Sequence, residues 1–154
     1  MTQAQPTVTV RPIAAGDRDA WARLFVEYGV FYETAFSSEV VDGVWTWLTD
    51  AAHPTNALVA VSSTGSVVGF AVYRSVPDTF TAGSGWFLDD LFVDPAARGA
   101  GAASALIDAI AAIAHSAGGG ALRWITASDN LRAQSVYNKL ATRTTWVTYE
   151  KETD

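Results

Sequence analysis

The sequence predicts a mixed α/β fold, a sheet carrying helices on both faces, and three observations point to it. Apolar residues alternate with period two in some segments and recur at three- and four-residue spacing in others, in the order β-α-α-β-β-β-α-β-α-β. Three consecutive strands in the middle begin with a short hairpin, so that half is antiparallel, whereas the later β-α-β run needs a crossover and a parallel neighbour. A glycine-rich turn, Arg98-Gly99-Ala100-Gly101-Ala102-Ala103, sits directly between a strand and an alanine-rich helix. No repeat or linker interrupts this order, so one domain is expected over residues 1–154, with 1–6 as a flexible tail.

Thr7 to Ile13 alternate as the first strand. Asp17 to Glu33 form a helix, with Trp21, Leu24, Phe25, Tyr28 and Tyr32 on one face. Ser37 or Ser38 caps a second helix that runs to about Asp50 on Val40, Val41, Val44, Trp45 and Leu48, and His53-Pro54 closes it. Ala57 to Ser62 and Ser66 to Val76 are strands joined by the Ser63-Thr64-Gly65 turn. A loop through Pro77-Asp78 and Gly83-Ser84-Gly85 leads to the strand Trp86 to Val93. The alanine-rich helix spans about Gly101 to Ala117 and stops at three glycines, 118 to 120. Leu122 to Thr126 is a strand, Leu131 to Leu140 a helix, and Thr144 to Glu150 a last alternating strand.

The glycine-rich turn carries the first chemical implication. Asp94-Pro95 ends the preceding strand because proline cannot donate to a ladder, and helix periodicity resumes at once on Leu106, Ile110 and Ile113. The unpaired N–H groups and positive dipole end of that helix therefore face small residues that let a pyrophosphate approach. No Gly-Lys-Ser/Thr closes the turn, which sets aside a P-loop. A dinucleotide fingerprint would need a third glycine and a place early in a parallel unit, and neither is present.

With 49% hydrophobic residues in 154, the chain can bury a sizeable core without disulfides or a metal. It has no cysteine, so neither a thiolate nucleophile nor a thiolate zinc site is available. His53 and His115 stand apart from each other and from metal-ligand spacings, so no metal is expected. A net charge of -6 argues against nucleic acid and anionic membranes as partners and favours a small cationic substrate. No signal sequence or membrane-length apolar run is present, and a cytoplasmic location is the expectation.

Two linked segments carry a family resemblance over nearly the whole chain. Residues 98–103 resemble the R/Q-x-x-G-x-G/A pyrophosphate loop, and Asn130 to Leu140, NLRAQSVYNKL, resembles the N-x-x-A-x-x-x-Y-x-K-L segment, of the GCN5-related N-acetyltransferases, the GNAT family. LDDLFVDP, the Phe31-Tyr32 pair, Trp45 and the ending VYNKLATRTTWVTYEK are similar to the histone/polyamine and D-amino-acid N-acetyltransferase subgroup. The chain departs from the wider family at Ala103, where a third glycine is commoner, at Asp89, where Glu is frequent, and at Ala141-Thr142, in place of Gly-Phe. The resemblance implies a mixed, mostly antiparallel sheet of six to seven strands, and acetyl-CoA as cosubstrate.

It also implies roles for residues. Arg98, Gly99, Ala100, Gly101, Ala102, Ala103 and Ser104 would hold the pyrophosphate. The main chain of Leu91, Phe92 and Val93 would lie beside the pantetheine arm, with Asn130 near it or acting as a helix N-cap. An alkylamine of pKa about 10.4 is mostly protonated at pH 7, a penalty of roughly 4–5 kcal/mol, so a base is useful. Strand alternation puts Asp89 and Asp90 on opposite faces. By resemblance to diamine acetyltransferases Asp89 is the favoured base, acting through a water, with Asp90 as its structural partner. Tyr137 would protonate the leaving thiolate. Glu27, Tyr28, Phe31, Tyr32, Glu33 and Trp45 would line an acceptor pocket for a cationic or amino-acid amine, although Tyr28 reads better as core. Without cysteine, direct attack in a ternary complex is expected. A noncatalytic acyl-CoA-sensing module is the alternative, and a homodimer through the edge at Thr145 to Tyr149 is compatible with either.

Overall fold

The computed structural model describes residues 7–154, and the tail expected at 1–6 lies outside the described residues. The chain forms two compact units, one ending at Trp124 and the other Ile125–Asp154. The first is built on a five-stranded sheet whose spatial order follows the chain: β1 (Val8–Pro12), β2 (Asn56–Ser62), β3 (Val67–Asp78), β4 (Gly83–Val93) and β5 (Leu122–Arg123). Neighbours are antiparallel from β1 to β4, and β5 is parallel to β4. Helices α1 (Arg18–Phe31) and α2 (Ser38–Thr49) join β1 to β2, and α3 (Ala102–Ser116) joins β4 to β5.

The mixed α/β class is as predicted, and the strand count is not. Five strands form instead of six to seven, because Thr144 to Glu150 is not a strand. A ladder needs a partner, and the second unit contains no other strand among the described residues. β5 ends at Arg123 instead of Thr126. By contrast, the loop expected at 77–85 largely zips up: Pro77 pairs with Ser84 and Asp78 with Gly83, leaving a short tip around Phe80.

Phe70 and Val72 of β3 face α1 and α2, where they join Trp21, Leu24, Phe25, Val41, Leu48, Val59 and Phe92 in one core. Trp21 is fully buried, stacked on Phe25 at 4.8 Å and edge-on to Phe70 at 6.3 Å. Gly69 and Ala71 alternate with these residues and face α3, whose buried stripe is Ala102, Leu106, Ile107, Ile110 and Ala114. The helices thus cover both faces, and the sheet is held in the middle by apolar surface.

Asp17 ties β1 to the start of α1. Both its oxygens accept from the Arg11 guanidinium, at 2.7 and 2.9 Å, and one also accepts from the Ala14 N–H at 2.7 Å. The Arg11 hydrogen bonds, helped by the Ala14 N–H, hold this buried carboxyl below its ordinary pKa against the opposing effect of burial. A depressed folded pKa contributes stability that is present above the unfolded value of about 3.9 and is lost as pH falls through the folded value. Asp17→Asn is therefore expected to cost about 1–3 kcal/mol at pH 7. In urea unfolding the gap between variant and wild type should close at low pH, and a gap that persists there would contradict the ion-pair origin.

The second unit contains α4 (Leu131–Leu140). Asn130 caps it, accepting from the Ala133 N–H at 3.2 Å, and the Gln134 side-chain amide donates to the carbonyls of Ala127 and Ser128, both at 3.1 Å. Among the described residues no helix is long and apolar enough to cross a membrane.

Candidate active site

The turn after β4 is shaped by its glycines. Asp94 accepts from the Ala96 N–H at 3.0 Å and starts a single 3₁₀ turn, Pro95–Ala97. The chain then passes through Gly99 at φ +91° and Gly101 at φ +78°, a left-handed conformation that only glycine adopts without strain. Gly101 is the N-cap of α3, and it has no side chain to accept from the first turn. The N–H groups of Ala102, Ala103 and Ser104 therefore converge with the positive end of a four-turn helix on a surface lined by glycine and alanine. Arg98 is exposed beside them; its backbone N–H donates to the Pro95 carbonyl, and its side chain makes no hydrogen bond or ion pair among the described residues. This donor set suits a pyrophosphate, which needs several N–H groups and tolerates no side chain in the way.

β4 leads into that turn, and its pairing with β5 ends early. β5 pairs with β4 only at Trp86 and Phe87, so from Leu88 onward the two strands share no further ladder pair. The main chain of Leu91, Phe92 and Val93 lies in this stretch beyond the β5 ladder, with the Phe92 side chain buried against Tyr28 at 6.0 Å.

The two carboxylates do not sit on opposite faces as alternation predicts. Val72 pairs with Asp90 and Tyr73 with Leu88, so Asp89 is an extra residue with no partner opposite, a β-bulge. Asp89 reaches Arg74, whose Nε donates to its two oxygens at 3.2 and 3.1 Å. Asp90, opposite the core-facing Val72, accepts from the Tyr28 hydroxyl on α1. Arg74 is two residues from Val72 on the same side of β3, so the bulge brings both carboxylates to the face that carries α1 and α2. Their environments differ. Burial, reinforced by the charge of Asp89, pushes the Asp90 carboxyl above its ordinary pKa, with the Tyr28 hydrogen bond pulling partly back. Asp89 is the more open of the two and is spoken for by Arg74, which also lies 5.2 Å over the Phe87 ring.

The other predicted acceptor residues divide. Phe31 and Tyr32 are exposed at the end of α1 with their rings 5.0 Å apart, and Tyr32 meets Tyr28 at 5.2 Å. Glu27 is paired with Arg23 at 3.0 Å, and Arg23 also reaches Asp94 at 3.3 Å. Trp45 packs on Trp21 at 5.5 Å as part of the core margin. Asn130 and Tyr137 belong to the second unit, on α4. Sequence reading missed Arg74 and Phe87; Tyr28 packs against the core as expected, and its hydroxyl additionally reaches Asp90. Only the register between β3 and β4, which sets Arg74 opposite Phe87 and leaves Asp89 unpaired, reveals that cluster.

Comparison with known proteins agrees with these features. Residues 19–141 match the family model of the acetyltransferase (GNAT) family. The chain is similar to the D-amino-acid N-acetyltransferase HPA3 of Saccharomyces cerevisiae, 31% identical over 148 residues, which cover 94% of this chain and 90% of that one. Its fold is similar to the ribosomal-protein-alanine N-acetyltransferase of Brucella melitensis biovar Abortus 2308, with a TM-score of 0.80 at 23% identity over 95% of this chain and 99% of that one. An acetyltransferase of Trypanosoma brucei gives a TM-score of 0.73 at 23% identity, over 95% and 99%.

Proposed function

Because the chain belongs to the GNAT family of acetyltransferases, we propose that it moves the acetyl group of acetyl-CoA to the primary amine of a small acceptor, by direct attack in a ternary complex. The observation that carries this reading is the junction of β4 and α3, where a 3₁₀ turn and a glycine loop lead from a strand whose bulge gathers two carboxylates on one face into an uncapped helix N-terminus. Acetyl-CoA supplies an activated acyl thioester; the rest is the work of this chain.

In this reading the N–H groups of Ala102, Ala103 and Ser104, with Arg98 nearby, hold the pyrophosphate, and the main chain of Leu91 to Val93 orients the pantetheine arm. Asp90 takes the proton from the acceptor ammonium. Its raised pKa brings it closer to the amine it must deprotonate, which is how a carboxylate becomes an effective base near neutral pH. Tyr28 orients that carboxylate, and Asp89 is the partner of Arg74 instead of the base. The family resemblance of the segment Asn130 to Leu140 supports Tyr137 as the proton donor to the departing thiolate. The sequence offers no cysteine for a covalent acetyl-enzyme, which supports direct attack. The name of the yeast relative supports an amino acid as acceptor.

The test is thiol release from acetyl-CoA with polyamines, amino acids of both hands and lysine peptides. Release with at least one amine class, with the acetylated amine found by mass spectrometry, is expected. Binding of CoA without release for any amine would overturn the reading.

A further inference from the structure

Resting on the acetyltransferase reading, we propose that Arg74 is the specificity-determining residue of the acceptor side, and that the acceptor it selects carries a carboxylate next to its amine, as a free α-amino acid does. Arg74 is held from two directions: its Nε donates to both oxygens of Asp89, and its guanidinium lies 5.2 Å over the Phe87 ring. A long side chain already ordered in this way loses little further freedom when it binds a ligand. The contact to Asp89 uses Nε alone. The two terminal nitrogens have no hydrogen-bond partner among the described residues, and the side chain is 40% exposed. An ion pair this open contributes little to stability, which leaves the ordering of Arg74 without a sufficient structural reason. What it presents is the planar end of a guanidinium, which matches the two oxygens of a carboxylate.

Position and charge agree. Arg74 lies two residues along β3 from Val72, the register partner of Asp90, so Arg74 and Asp90 are diagonal neighbours on one face, about 7–8 Å apart. An acceptor bridging the two residues would set its amine at Asp90 and its carboxylate at the terminal nitrogens of Arg74. Asp89 and Asp90 together would attract any polycation, but Arg74 offsets the charge of Asp89. The net anion is then Asp90, beside terminal Arg74 N–H groups that Asp89 leaves unused, a pattern that offers an acceptor for an amine and donors for a carboxylate. A polyamine or the amine end of a peptide has no carboxylate next to its amine.

The experiment measures acetylation of alanine and phenylalanine of each hand, their amides, ethylamine, phenethylamine and spermidine. Wild type and Arg74→Gln are compared as the ratio of kcat/KM for each amino acid to that for its decarboxylated amine, so that intrinsic amine reactivity cancels between the two proteins. Arg74→Gln is expected to lower that ratio about 10- to 100-fold, mostly through KM, with Arg74→Lys falling between. Calorimetric binding of CoA and the urea midpoint report folding, and if Arg74→Gln fails to fold, the same ratio is read from Arg74→Lys. Equal losses for amino acids and decarboxylated amines, or a wild type that prefers spermidine or the decarboxylated amines, would overturn the inference while thiol release still upheld the acetyltransferase reading. No release with any amine would overturn both.

Discussion

Asp90→Asn is expected to lower kcat by about 10²- to 10⁴-fold, the range for loss of a positioned general base, and to leave CoA affinity intact. Asparagine keeps the size of the side chain and an oxygen that accepts from Tyr28, so the substitution removes basicity with little change in packing. The pH dependence tells this apart from a structural effect. Burial and the neighbouring Asp89 raise the Asp90 pKa, so the acid limb of the kcat profile should lie above the ordinary carboxylate value of about 3.9. The Asn variant should lack that limb. In Tyr28→Phe the limb should move to higher pH, because the lost hydrogen bond had favoured the ionised form. An Asp90→Asn enzyme with the kcat and pH profile of wild type would return the role of base to Asp89.

That choice between two adjacent carboxylates shows where sequence reading stops. The helices were legible because periodicity is a property of one segment: Trp21, Leu24 and Phe25 predict the buried side of α1, and Leu106 and Ile110 that of α3, without reference to anything else, although Ile113, expected with them, is only half-buried. The glycine-rich turn was legible for the same reason, since backbone freedom, strand ending and helix start are all local. A bulge is not local. Counting by twos along β4 separates Asp89 from Asp90, and only the pairing of Val72 with Asp90 and Tyr73 with Leu88 exposes the extra residue that puts them on one side. Arg74 was invisible for the same reason: in the sequence it is 15 positions from Asp89, and antiparallel register alone makes them partners. The last predicted strand fails in the opposite sense. Thr144 to Glu150 alternate well enough, but alternation describes a surface that fits a sheet and does not provide the neighbour that makes one.

Tyr137→Phe is the second substitution expected to change the reaction strongly, by about 100-fold in kcat, at the lower end of the range for acid–base catalysis. The magnitude follows from what the phenol has to do. An alkyl thiol has a pKa of about 8.5, so its thiolate leaves far more readily than an alkoxide, and protonating it saves less than removing the proton of an ammonium with a pKa about two units higher. The loss should therefore be smaller than the largest expected for Asp90→Asn, and it should not alter KM for acetyl-CoA. A purely packing role predicts something else. Tyr137 lies with Ala133, Val136 and Leu140 on the half-buried side of α4, and phenylalanine keeps the ring that fills this position. If packing were the only reason for the tyrosine, the variant would retain kcat and show at most a small shift in its unfolding midpoint. A 100-fold fall in kcat at an unchanged midpoint would mark the hydroxyl as the proton donor. Wild-type kcat in the phenylalanine variant would remove Tyr137 from the mechanism and leave the thiolate to depart unassisted.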